Sequence, residues 1–284
     1  MKKITRVIAA PRPHWVGDGF LVHPLFADHA FTNDISPFLM LDYAAPREFK
    51  PSAKPPGVGV HPHKGFETVT IVYDGEVEHR DSAGNSGVIG PGDVQWMTAG
   101  RGILHEEFHS REAARRGGIV SMAQLWVNLP ARDKGAEPAY QDIRDAAIPR
   151  VKLDGGELRV IAGEHAGIAG SARTFTRLNV WDIRLDAGGR AELPLREGDP
   201  AILPVFSGRV AINGEKIVEG SHVAMFSREG GTISIEAKET SRLLLLSGEP
   251  LDEPIAAHGP FVMNTRAEIM RAMEEFRSGK MGVM

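Results

Sequence analysis

The sequence predicts an all-β protein made of two copies of one β unit, closed by an α-helix. Short β-branched and aromatic runs alternate with Gly, Pro, Asn and Asp breakers along most of the 284 residues. Ile71-Val72-Tyr73-Asp74-Gly75-Glu76-Val77 matches Pro204-Val205-Phe206-Ser207-Gly208-Arg209-Val210 in outline, each a strand, a turn glycine and a returning strand. A second glycine turn follows in both halves, at Pro91-Gly92-Asp93-Val94 and at Glu219-Gly220-Ser221-His222-Val223. Internal similarity of this kind marks a duplicated unit.

From the amino terminus, breakers at Gly17-Asp18-Gly19, Asn33-Asp34 and Ser36-Pro37 separate short apolar runs, the last being Phe38-Leu39-Met40-Leu41-Asp42-Tyr43. Lys50 to Pro56 is a Pro- and Lys-rich loop leading into His61-Pro62-His63. The strand Glu67 to Tyr73, the turn Asp74-Gly75 and the strand Glu76 to His79 predict a hairpin, since Asp-Gly between such runs is a strong short-range signal. Further turns at Ala83 to Gly87 and Gly90 to Asp93 precede the strand Val94 to Met97. Ser110 to Arg116 reads as a short helix ended by Gly117-Gly118, and Gln124 to Leu129 as a strand. The polar stretch Pro130 to Pro149 is the expected boundary, giving residues 1–130 as the first barrel, 131–149 as a connection and 150–284 as the second; the alternative is a long loop inside one barrel. At the carboxyl end Thr265-Arg266-Ala267-Glu268 has capping-box form, and Ile269, Ala272, Met273 and Phe276 recur at helical spacing before Gly279. That stripe is expected to pack on a β domain rather than to await a partner.

Composition narrows the function. Lys plus Arg number 33 and Asp plus Glu 37, a net charge of −4 with no dense basic cluster, so direct nucleic-acid binding is not expected. With no cysteine, disulfides, thiolate ligands and a cysteine nucleophile are all ruled out. Nothing resembles a secretory h-region, and no run approaches the roughly 18 apolar residues of a membrane span, so the expected location is the cytoplasm, with no membrane contact.

The chemistry concentrates between His61 and Glu107. Side chains two apart on a strand share a face, so His61 can converge with His63, and His105 with Glu107. Any metal here must use nitrogen and oxygen donors. By the same parity Glu67 rivals Glu107 as the carboxylate, while Glu106 should point away. His-x-His alone is weak evidence, and a polar loop is its plain alternative; the following Gly-Phe-Glu, Pro-Gly-Asp turn and second His-x-Glu strengthen the case. Such a donor set suits Fe(II) and would accept Mn, Co, Ni, Cu or Zn. The second half has no His-x-His, and His165, His222 and His258 stand singly, as structural histidines do.

These motifs resemble the pirin family of the cupin superfamily. The likeness rests on His61 to Val69 and Pro91 to Glu107, with Ser36 to Asp42, Gln124 to Leu129, Gly248 to Leu251 and Gly259 to Thr265, and covers nearly the whole chain. It implies a bicupin, two jelly-roll barrels face to face with metal only in the amino-terminal one, held by His61, His63, His105 and Glu107. Other cupins often place a Glu four residues after the second His, here Glu67; the pirin-type motif is intact, so Glu107 is preferred and Glu67 is expected to support the ligands from behind.

The resemblance implies two functions. One is a quercetin 2,3-dioxygenase, opening a flavonol ring with O₂ and releasing carbon monoxide, with Glu107 as the base for the 3-hydroxyl proton. Phe38, Met40, Val58, Phe66 and Trp96 are the candidate pocket walls for the small aromatic substrate. The other is a regulator whose metal tunes binding to a protein partner, the oxidation state of iron being the switch. A monomer is expected.

Overall fold

The computed structural model describes residues 1–27 and 33–284. In chain order its first elements are β1 (Ile4–Ala9), β2 (His14–Val16), β3 (Phe20–Ala27), β4 (Phe38–Phe49), β5 (Gly57–His63), β6 (Phe66–Asp74), β7 (Val77–Asp81), β8 (Ser86–Ile89), β9 (Val94–Thr98), β10 (Ile103–His109), α1 (Arg111–Arg116), β11 (Gly118–Asn128) and β12 (Ala139–Ile143). There follow β13 (Arg150–Ala162), β14 (Glu164–His165), β15 (Ile168–Ala169), β16 (Leu178–Pro194), β17 (Ala201–Ser207), β18 (Arg209–Ile212), β19 (Lys216–Glu219), β20 (His222–Phe226), β21 (Thr232–Ala237), β22 (Ser241–Gly248), β23 (Ala256–His258), β24 (Phe261–Met263) and α2 (Arg266–Arg277). The protein is all-β apart from its helices, as the sequence predicts.

One unit comprises residues 12–33, 38–145 and 252–284. Its seven-stranded sheet runs β12-β9-β6-β11-β4-β3-β2, and its four-stranded sheet β5-β10-β7-β8. Phe20, Val22, Ala44, Val72 and Met122 from the first sheet meet Val77 and Ile89 from the second in one buried cluster, which closes the barrel. The turn at Asp74-Gly75 is not a hairpin. β6 pairs with β9 and β11 while β7 pairs with β8 and β10, so Gly75, at φ 81°, carries the chain from one sheet to the other. The matching glycine of the second half, Gly208 at φ 82°, likewise joins two strands that do not pair with each other, β17 pairing with β20 and β22 and β18 with β19 and β21, although there both stay within one sheet. Ser110 caps α1, its hydroxyl accepting from Ala113 N at 3.0 Å.

The other unit comprises residues 1–11, 34–37 and 146–251. Its nine-stranded sheet is held together by β16, whose first half pairs with β22 and whose second half pairs with β21, with Gly188 at φ 83° between them. Its core is almost wholly aliphatic around Trp181.

Both ends of the chain depart from the expected division at 131–149. β1 pairs with β20, and buried Lys2 donates to Asp199 O at 2.7 Å and Arg228 O at 3.1 Å, so the amino terminus belongs to the second barrel. The carboxyl-terminal helix goes to the first barrel: Ile269 and Ala272 pack with Leu104, Phe261 and Met263. The capping box forms as the sequence predicts, with Thr265 and Glu268 bonded reciprocally. Within the expected connection, residues 139–143 form an edge strand, because Tyr140 and Ile143 find partners in Met97 and Val94 of β9.

Candidate metal centre

β5 and β10 bring the histidines together. His61 lies directly opposite His105, and His63 opposite Ile103, so the three imidazoles share the inward face. Their ring centroids are 4.9 Å apart for His61 and His63, 4.3 Å for His61 and His105, and 4.7 Å for His63 and His105. One nitrogen from each lies within 4.8 Å of the other two. His61 is half-buried, and an Nδ1–H donor to Gly59 O at 2.8 Å leaves its Nε2 lone pair for a ligand.

The trio is chemically suited to a cation. His63 and His105 are 3% and 0% exposed, and burial, together with the neighbouring histidines, holds both well below the usual imidazole range. Neutral imidazole is the ligating form. His63 Nδ1 and both ring nitrogens of His105 are buried with no hydrogen-bond partner, which three histidines packed only for structure would not leave. The residues fit a divalent ion bound through nitrogen.

Glu107 shares the inward face with His105 but is not part of the trio. A register shift falls between His105 and Glu107 against β5, and the Glu107 carboxylate accepts from Gln124 Nε2 at 3.0 and 3.2 Å, with Thr70 Oγ1 at 3.5 Å. Glu106 points the other way and ion-pairs with Arg80, as alternation requires. Glu67 departs from the parity expectation. Gly65, at φ 87°, interrupts the alternation between His63 and Phe66, and a Cβ there would lie 2.0 Å from Val262 O. Glu67 therefore falls on the opposite face of β6 from Thr70, paired with Thr98, whose hydroxyl donates to it at 2.7 Å. Burial pushes its carboxyl up to about 7, against the pull of that hydroxyl.

Of the expected pocket walls, Phe66 lies 5.2 Å from the His63 ring, Met40 pairs with Trp126 on the inward face, and Val58 pairs with Glu107. Trp96 is fully buried but pairs with Val69 on the face away from Thr68 and Thr70, so it does not line this site. Phe38 is fully buried opposite Val127, across a register shift from the Met40–Trp126 pair. Residues not anticipated include Trp126, 5.5 Å from His63, and His79, stacked on Tyr140 at 5.1 Å. Gln124 and Thr70 were concealed inside runs of strand formers; only their parity with Met122 and Val72 signals an inward direction. In the other unit, His165 packs on Trp181 at 4.7 Å and His222 Nδ1 lies 3.1 Å from Gly220 O.

Comparison with known proteins places this geometry. The Pirin family profile matches residues 19–127, and the Pirin C-terminal cupin domain profile matches residues 180–282. A Pseudomonas aeruginosa protein named "Putative quercetin 2,3-dioxygenase" is 52% identical over 99% of this chain and 98% of its own length. Human pirin is 40% identical over 88% of this chain and 84% of its own. A crystal structure described as quercetin 2,3-dioxygenase from Acinetobacter baumannii superposes with a TM-score of 0.98 at 51% identity, covering 100% of both chains.

Proposed function

The chain belongs to the pirin family, with two cupin domains, and on that premise we propose that it is an iron-dependent quercetin 2,3-dioxygenase-type enzyme acting on flavonols in the cytoplasm. The observation that carries this reading is the convergence of three imidazoles, two of them buried with unpartnered nitrogens, beside an aromatic wall. The names carried by close relatives support the substrate class.

His61, His63 and His105 would hold the ion, with Glu107 as the fourth donor. Bound there, Fe(II) would supply Lewis-acid stabilisation of a deprotonated 3-hydroxyl and a route for O₂ to react with the ring. Glu107 takes the 3-hydroxyl proton, and Gln124 orients its carboxylate from the facing sheet. Phe66 and Trp126 pack against each other at 4.3 Å and form an apolar wall beside the histidines, whose half-buried member, Trp126, is the one a planar ring can meet. In the net reaction both atoms of O₂ enter the product, two carbon–carbon bonds of the heterocycle break and carbon monoxide leaves.

Anaerobic loading with Fe(II), followed by quercetin and O₂, should release carbon monoxide in step with quercetin loss. Absence of turnover with Fe, Mn, Co, Ni, Cu and Zn in turn would overturn the enzyme reading in favour of a metal-dependent regulator.

A further inference from the structure

We propose that Asp42, with the polar strip beside it, is a specificity-determining site that recognises ligand hydroxyl groups other than the one held at the metal. This rests on the flavonol reading and assigns the residue that reads the ring's further hydroxyls. Asp42 pairs with Gln124, Gln124 with Thr70, and Thr70 with Gln95, one row across β4, β11, β6 and β9. Directly opposed residues of antiparallel strands share a face. The row therefore points inward with Glu107, between apolar Met122 and Val72 on one side and Trp126 and Thr68 on the other.

A polar row facing a barrel interior is costly unless its groups are bonded. Gln124 uses its amide nitrogen on Glu107, but Asp42 Oδ1 and Gln95 Nε2 are buried with no partner. The strip thus carries an unmet acceptor and an unmet donor. Solvent reaches this same face: Met40, Asp42, Gln124 and Trp126 are half-buried, whereas Leu41, Tyr43, Ala123 and Leu125, which alternate with them, are 0%, 4%, 0% and 0% exposed. Neighbouring same-face rows lie about 7 Å apart, so a ring set against Trp126, itself 5.5 Å from His63, has Asp42 within reach of its hydroxyls.

Anaerobic calorimetric titration of the Fe(II)-loaded protein with quercetin, with 3-hydroxyflavone (the same core without further hydroxyls) and with catechol tests this. Quercetin should bind roughly 10- to 100-fold more tightly than 3-hydroxyflavone, the range for a hydrogen bond to a charged group. Asp42→Ala should erase that preference while leaving 3-hydroxyflavone affinity and metal content unchanged; should it misfold, Asp42→Asn is expected to reduce the preference. An unchanged preference in a folded variant overturns the inference and leaves the dioxygenase reading standing. Asp42-dependent binding of catechol without binding of either flavonol overturns the flavonol reading and supports the inference. No binding of any of the three by the unaltered protein overturns both.

Discussion

Gln124 donates through one amide nitrogen to both carboxylate oxygens of Glu107, at 3.0 and 3.2 Å, and so ties the seven-stranded sheet to the four-stranded sheet at the level of the histidines. The bond gives Glu107 a fixed resting place beside the trio rather than within it.

Metal retention separates the two candidate carboxylates. Purified protein should carry about one divalent ion per chain, and His61→Ala or His105→Ala should lose it, since each removes one of the three imidazoles that converge on the site. Glu107→Ala should weaken metal binding, whereas Glu67→Ala, altering a carboxylate bonded to Thr98 on the other face of β6, should leave the content near that of the unaltered chain. Elemental analysis after dialysis against a weak chelator reads all four; full retention in both histidine variants would refute the assigned site.

The histidine trio was legible because strand alternation is local: His61 and His63 lie on one strand, and only the pairing of β5 with β10 had to be supplied. Glu67 was misplaced because the same rule was carried across Gly65, whose left-handed backbone resets the parity. The duplicated β unit and the α2 capping box were equally readable. Which strands pair was not, since Asp74-Gly75 has hairpin chemistry whether its flanking strands pair or part into different sheets. The exchange of the chain ends between units is set by long-range pairing of β1 with β20 and leaves no local mark in the sequence.

Glu67 should make stability fall as pH rises. Its carboxyl is raised from 4.5 to about 7 when folded, so the folded chain binds the extra proton, and the advantage present below about 4.5 is lost as pH climbs to about 7. The shift corresponds to at most about 3 kcal/mol. Glu67→Gln keeps an acceptor for Thr98 without the charge. It should unfold at higher urea than the unaltered protein at pH 8 and at similar urea at pH 4.5.

His63 and His105 act with the opposite sign. Folded, they stay neutral well below the ordinary value of 6.5; unfolded, they protonate near it, so the unfolded chain binds more protons in acid. Stability of the metal-free protein should be insensitive to these groups above about pH 7 and decline below about 6.5, by up to about 1.4 kcal/mol per pH unit for each histidine. Urea midpoints between pH 7.5 and 5 should show the decline. A His105→Gln variant that declines as steeply would argue against this origin.

Lys134 should prove to be the strongest single support of the metal loop. Its buried Nζ donates to Gly65 O at 2.7 Å, Asn128 Oδ1 at 2.7 Å and Val262 O at 3.0 Å, joining the turn after His63 to the end of β11 and to β24. Burial lowers its ammonium to about 7, the mark of a cation held by dipoles rather than by an adjacent carboxylate. Lys134→Met fills similar space but strands three buried acceptors, a loss of about 3–5 kcal/mol. The released turn lies two residues from His63, so loosening it should loosen that ligand as well. Calorimetric melting should show a fall of about 10 °C, and metal affinity should drop even at temperatures where the variant remains folded. A variant that melts lower yet binds metal as before would confine Lys134 to a purely structural role.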